Sequence, residues 1–210
     1  MILLIHGAGS SSNIFNYISL WLDQEIQTID YEVGDDHNTI FSKIHKPDEV
    51  TFVAGHSYGG LLGAEWLSQD VRNVKGLLCI ATPWQGSPTA RILNWFLSDP
   101  VWNDMKPGSE LLKKINAINL TIPVKNIIAV PNRGNGLAGT GKSENDGTIP
   151  IASARTLPEG FSKTKSIDLP YGHGEIMQTF ELVEQMRSFF EDPVLDLYKH
   201  KGPNQIMHTM

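Results

Sequence analysis

The chain has 210 residues, 40% of them hydrophobic and 19% charged, with a formal net charge of −6. This is ordinary globular composition for about one domain, and the negative balance argues against nucleic acid and anionic membrane surfaces as partners. The single cysteine, Cys79, excludes an internal disulfide, and no stretch approaches the ~20 apolar residues of a membrane span.

Strands and helices are expected to alternate along the chain. Met1–Ile5 is an unbroken apolar run, as in a strand covered on both faces. It is too short for a signal-peptide core and no basic residue precedes it, so a cytoplasmic setting is expected. Asn13–Asp23 carries Ile14, Phe15, Ile18, Trp21 and Leu22 at helical spacing. Ile26–Tyr31 is the second strand, Asp36–Ile44 a helix before Pro47, and Val50–Ala54 the third strand. Tyr58–Gln69 is a helix, followed by strands at Val74–Ala81, Val124–Val130 and Thr164–Leu169. Cys79 falls inside the fourth strand as a small buried hydrophobe. Glu175–Phe190 is an amphipathic helix with Ile176, Phe180, Val183, Met186, Phe189 and Phe190 on one side. The alternation implies a mostly parallel, about six-stranded α/β sheet with helices on both faces.

Two stretches break the rhythm. Residues 82–122 hold helical pieces and Trp84, Trp95 and Trp102. This is too long for a simple crossover, and a helical cap inserted at about 83–122 in a single domain 1–210 is expected. Pro131–Pro150 is rich in Gly and Asn and reads as a loop. The tail after Pro193 carries little signal beyond one or two helical turns at Leu195–Tyr198, and His200–Met210 is expected to fray.

The densest chemical signal is Gly55-His56-Ser57-Tyr58-Gly59, set between the third strand and the helix after it. A G-x-S-x-G run in that context forms a sharp turn that pushes the serine Oγ out above the sheet. Glycines flank it because strand and helix pass too closely for a Cβ. Ser57 is therefore the candidate nucleophile. A serine needs a base, and the base an orienting carboxylate. In such elbows the acid follows the serine in the chain and the histidine comes last. His173, in Pro170-Tyr171-Gly172-His173-Gly174, lies after the sixth strand and is the candidate base. Asp146, in the loop after the fifth strand, is the candidate acid, with Glu144 and then Asp168 as alternatives. The oxyanion needs two donors. The backbone N–H of Tyr58 supplies one and that of Ala8, in His6-Gly7-Ala8-Gly9-Ser10, the other. His6 and His56 are expected to be structural, and His37, His45, His200 and His208 to lie at the surface.

With these residues assembled, the chain resembles the lipases and esterases of the α/β-hydrolase family. The string His6-Gly7-Ala8-Gly9, the elbow and Gly172-His173 carry the likeness. Ala81-Thr82-Pro83-Trp84-Gln85-Gly86-Ser87 is similar to an Ala-Thr-Pro-His-x-Gly-Ser segment of these lipases, with Trp84 in place of the histidine. Met105-Lys106-Pro107-Gly108-Ser109-Glu110-Leu111-Leu112 is similar to their Pro-Gly-Ser-x-Phe-Leu segment, which opens a cap helix. Asn145-Asp146-Gly147-Thr148-Ile149-Pro150 is similar to the run that carries their triad acid. The likeness spans residues 2 to about 190. The two antiparallel strands that often precede the oxyanion loop are missing, as in a compact lipase layout. The resemblance implies Ser57, Asp146 and His173 as a triad, Ala8 and Tyr58 as oxyanion donors, and hydrolysis of an acyl ester, lipids included, without a cofactor or metal. Trp84, Trp95, Phe96 and Trp102 are expected at the substrate pocket or in the cap's own core. Thioesterase, amidase and acyltransferase chemistry use the same triad, and fold alone does not choose among them.

One competing motif stands apart. Gly136-Leu137-Ala138-Gly139-Thr140-Gly141-Lys142-Ser143 matches the phosphate-binding P-loop. That motif needs a helix at once after it, whereas Asn145, Asp146, Gly147 and Pro150 give turn chemistry. A loop that delivers Asp146 is the simpler expectation. A scaffold that binds a partner without catalysis has no physical need for all three triad residues.

Overall fold

The computed structural model describes residues 1–69, 73–88, 99–131 and 144–198. Six parallel strands form one sheet: β1 (Ile2–Ile5), β2 (Ile26–Ile29), β3 (Phe52–His56), β4 (Gly76–Ile80), β5 (Val124–Ala129) and β6 (Thr164–Leu169), in the order β2-β1-β3-β4-β5-β6. Register runs from Ile5↔Ile29 and Ile5↔Gly55 across to Ala129↔Leu169. The described helices are α1 (Asn16–Ser19), α2 (His37–Ser42), α3 (Tyr58–Leu67), α4 (Pro100–Asp104), α5 (Glu110–Asn116), α6 (Ile151–Arg155), α7 (Phe180–Glu191) and α8 (Pro193–Tyr198).

Burial follows from strand alternation. Leu3 and Ile5 of β1 pack with Val53, Leu77, Leu61, Leu62 and Ile115 on one face of the sheet. Ile2 and Leu4 pack with Phe52, Ala54, Phe15 and Ile18 on the other, against the Leu182, Val183, Met186 and Phe189 stripe of α7. Each such side chain contributes roughly 1.5–3 kcal/mol when fully buried. The central strands β1, β3, β4 and β5 are buried throughout, while the edge strands β2 and β6 are partly exposed. That explains why β1, β3 and β4 read as near-continuous apolar runs.

Three local features depart from the expectation. The helix expected over Asn13–Asp23 is a 3-10 turn at Ser12–Phe15 followed by one turn of α1, and Leu20 and Trp21 lie beyond it, exposed. The helix expected over Glu175–Phe190 breaks at Thr179, which is extended (φ −110°, ψ 142°) and whose hydroxyl accepts from Leu182 N–H at 3.3 Å, capping α7. β5 is not purely apolar. Lys125 is fully buried, its ammonium 2.9 Å from Asp196 of α8 and donating to the Gln185 carbonyl at 3.0 Å. No described helix is long and apolar enough to cross a membrane.

Candidate active site

The strand order reverses direction between β1 and β3, and in open parallel sheets a crevice opens at the carboxyl ends of such a pair. The turn after β3 occupies that place. Ser57 has φ +55° and ψ −123°, a backbone strain of order 1–3 kcal/mol for a residue with a Cβ. Its N–H donates to Ile80 O at 2.8 Å, and α3 begins at Tyr58. A Cβ on Gly55 would lie 2.3 Å from the Gly59 backbone, and one on Gly59 2.1 Å from Ile5 O. Strand and helix therefore meet only as glycine.

The loop after β1 is held by His6. Its Nδ1 donates to Gly7 O at 2.8 Å, its Nε2 accepts from Tyr31 N–H at 3.3 Å, and the Tyr31 hydroxyl donates to His6 O at 2.7 Å. The two rings stack at 4.1 Å. Burial lowers the pKa of His6 below the ordinary imidazole value. The structural role expected of His6 holds.

Asp146 and His173 meet. His173 Nδ1 lies 2.7 Å from Asp146 Oδ2. The other carboxylate oxygen, Oδ1, accepts from Thr148 N–H at 2.9 Å and Ile149 N–H at 2.7 Å, which fixes the carboxylate. Gly147, at φ +104°, turns the chain for those bonds. His173 N–H donates to Asp146 O at 2.8 Å, so the two loops are joined through backbone as well. Glu144 is exposed, and Asp168 pairs with Arg155 at 2.6 Å. Of the three carboxylates weighed, Asp146 is the one on His173. His56 sits behind the pair, its Nε2 donating to His173 O at 2.9 Å.

Ser57, His173, Ala8, Gly7 and His56 line one cavity of about 270 Å³. Its remaining wall is Ser10, Ser87, Trp102, Met105, Thr148 and Ile149. Trp102 stands where the aromatic wall was expected. Trp84 does not: it is fully buried, its indole N–H donates to Asn126 Oδ1 at 3.2 Å, and its ring meets Phe161 edge-on at 5.5 Å. The buried amide of Asn126 on β5 holds the indole in the core, away from the cavity. Trp95 and Phe96 lie outside the described residues, as does the P-loop-like run 136–143. Met105 and Ile149 were not singled out from sequence, where nothing distinguishes them from core residues.

A second group, also unmarked in the sequence, adjoins Tyr58. The Tyr58 hydroxyl donates to Asp104 Oδ2 at 2.7 Å, and His37 Nε2 lies 2.8 Å from the same oxygen. His37 Nδ1 is 2.5 Å from Glu65 Oε2, and Lys114 Nζ is 2.8 Å from Glu65 Oε1. His37 was expected at the surface and is instead half-buried between two carboxylates. Burial alone would lower its pKa, but the contacts with Asp104 and Glu65 outweigh it and push the value up to about 9. Burial would likewise raise Glu65, and its contacts with His37 and Lys114 outweigh that and lower it.

No family model matches the chain, and no curated protein matches it. Solved structures do. A Paleococcus ferrophilus monoacylglycerol lipase aligns at TM-score 0.60 and 17% identity, over 93% of this chain and 94% of that one. A structure from the metagenome-derived lipolytic enzymes LipS and LipT aligns at TM-score 0.63 and 14% identity, over 90% and 92%. The product of gene lin2722 from Listeria innocua aligns at TM-score 0.62 and 16% identity, over 91% and 93%.

Proposed function

We propose that this chain, whose fold is that of the α/β-hydrolases, is a serine hydrolase that cleaves carboxylic esters. The observation that carries the reading is the Asp146–His173 pair at 2.7 Å sharing one cavity with the strained Ser57. Such strain at a buried turn that lines a cavity is what a nucleophile elbow requires. Lipolytic enzymes among the structural neighbours favour an ester over other acyl groups.

In this reading His173 turns Nδ1 to Asp146, which leaves Nε2 to take the Ser57 proton. Oγ attacks the ester carbonyl, and the negative charge on the carbonyl oxygen is met by the N–H groups of Ala8 and Tyr58. The Tyr58 N–H is the first of α3, so the helix dipole adds to its field. The tetrahedral intermediate collapses, the C–O bond to the alcohol breaks, and His173 returns its proton to the leaving oxygen. Water, activated by the same imidazole, then attacks the acyl-serine and releases the acid. The insertion from about 83 to 122 acts as a cap within a single domain, its described residues contributing Ser87, Trp102 and Met105 to the cavity wall. No part of this sequence calls on a cofactor.

Labelling with a fluorophosphonate probe tests the reading: wild type labels and Ser57→Ala does not. Equal labelling of both overturns it. A matched ester, thioester and anilide series then ranks the acyl classes, with the ester expected fastest. Millimolar ATP with Mg²⁺ is expected to leave the melting temperature unchanged, whereas a rise favours nucleotide binding.

A further inference from the structure

One side chain, Asp104, links the helix that forms the cavity wall to the residue beside the nucleophile. α4 and the residue after it bring Trp102 and Met105 to the cavity. The Trp102 ring lies 3.8 Å from where a Cβ on Gly9 would stand, so it rests against the loop of Ala8. α4 is five residues long, too short to fix its own position. Val101 buries it in the core, and backbone bonds hold its two ends, Val101 N–H donating to Val33 O at 3.5 Å and Ser87 N–H to Met105 O at 2.8 Å. The side chain that ties the helix to the elbow is Asp104. Its carboxylate takes the Tyr58 hydroxyl and His37 Nε2, and its carbonyl accepts from the Ser109 hydroxyl, which also caps α5. Through His37 and Glu65 the same group reaches α2, α3 and Lys114 of α5.

This is not a surface ion pair of negligible weight. Tyr58 is fully buried and Glu65 is 5% exposed. Facing His37 are Tyr58 and Glu65 from α3 and Asp104 from α4; Lys114 stands behind Glu65, and Asp36 on its own helix is turned to Thr39 N–H. Two carboxylates across one imidazole favour the charged ring and couple the three groups.

We propose that Asp104 is a positioning residue that sets acyl preference: held by Tyr58 and His37, it orients the Trp102–Met105 wall over the Ser57 cavity. The proposal rests on the reading of Ser57 as a nucleophile. The test uses the full chain and the ratio of kcat/KM for p-nitrophenyl hexanoate to that for the acetate. A lower folded fraction cancels in this ratio, whereas a displaced wall does not. Trp102→Ala and Asp104→Ala are each expected to change the ratio about tenfold in the same direction. The double variant changes it no further than the larger single one. Asp104→Asn, which keeps an acceptor for the Tyr58 hydroxyl, restores part of the wild-type ratio. An Asp104→Ala enzyme that slows both esters equally, or neither, overturns the proposal.

A second readout does not depend on turnover. In ¹⁵N-histidine spectra one ring, identified by its absence in His37→Gln, stays protonated past pH 8 in the wild type and titrates lower in Asp104→Asn. A His37 that titrates alike in both overturns the anchoring. A protein with the His37 signature but no probe labelling at Ser57 overturns the esterase reading and the acyl preference with it, and leaves the anchoring intact.

Discussion

His56 and His173 are 117 residues apart and joined by one hydrogen bond, His56 Nε2 donating to the His173 carbonyl at 2.9 Å, with ring centroids 4.8 Å apart. A carbonyl only accepts, so the proton sits on Nε2 and Nδ1 is bare. Burial, then repulsion from His173, lowers the His56 pKa to about 3. A neutral donor thus braces the loop of the proposed base from the residue before the proposed nucleophile.

Removing that brace is expected to act on turnover. His56→Leu should lower kcat for p-nitrophenyl butyrate about tenfold with KM changed little. His56→Gln, which keeps an N–H donor, should recover most of it. Equal losses in the two variants mean that the ring matters only for packing.

The perturbed histidines make stability pH-dependent with opposite signs, His6 and His56 on the acid side and His37 on the alkaline side. His56 has a folded pKa of about 3 against an ordinary 6.5, so the unfolded chain binds the extra proton between those values and stability falls as pH drops below about 6.5. The slope there approaches ~1.4 kcal/mol per pH unit. His37 has a folded value of about 9, so its contribution is complete below 6.5 and is lost as pH rises through 9. Melting temperature against pH should therefore peak near pH 6–7, and His37→Gln should flatten the alkaline limb alone. An unaltered alkaline limb in that variant refutes the assignment.

The carboxylate on His173 is expected to matter far more than its two rivals. Asp146→Asn should lower kcat by about 10⁴, since an amide holds the wrong imidazole tautomer. Glu144→Gln and Asp168→Asn should stay within twofold of wild type. The reverse order, measured with any hydrolysed ester, moves the acid to another residue.

The buried Lys125–Asp196 pair is a stability element remote from the chemistry. Lys125→Met alone leaves the Asp196 carboxylate buried and should cost about 3–5 kcal/mol, read by urea unfolding. Adding Asp196→Leu should recover most of that loss. If the double variant is as unstable as the single, the pair itself contributes a large net energy.

Much of the architecture was legible because its signals are local. The strands β1, β3 and β4 are apolar runs, the last long helix has a stripe, and the Ser57 elbow is five consecutive residues whose glycines answer contacts of 2.3 and 2.1 Å. Asp146 and His173 were legible through their order in the chain and the turn residues around them. The break at Thr179 was less visible, because a hydroxyl caps a helix only if the chain before it leaves the helical path.

What the sequence determined by itself is the alternation of strand and helix and the presence of a serine turn, an acidic turn and a late histidine. These follow from backbone sterics and periodicity, which act over a few residues. What only the tertiary structure decided is which side chains meet: Asp146 rather than Glu144 on His173, Trp102 rather than Trp84 at the cavity, and His37 between Glu65 and Asp104 rather than in solvent. Such pairings depend on how parallel crossovers stack distant segments, and a hydrogen bond between residues 67 positions apart leaves no mark in either segment alone.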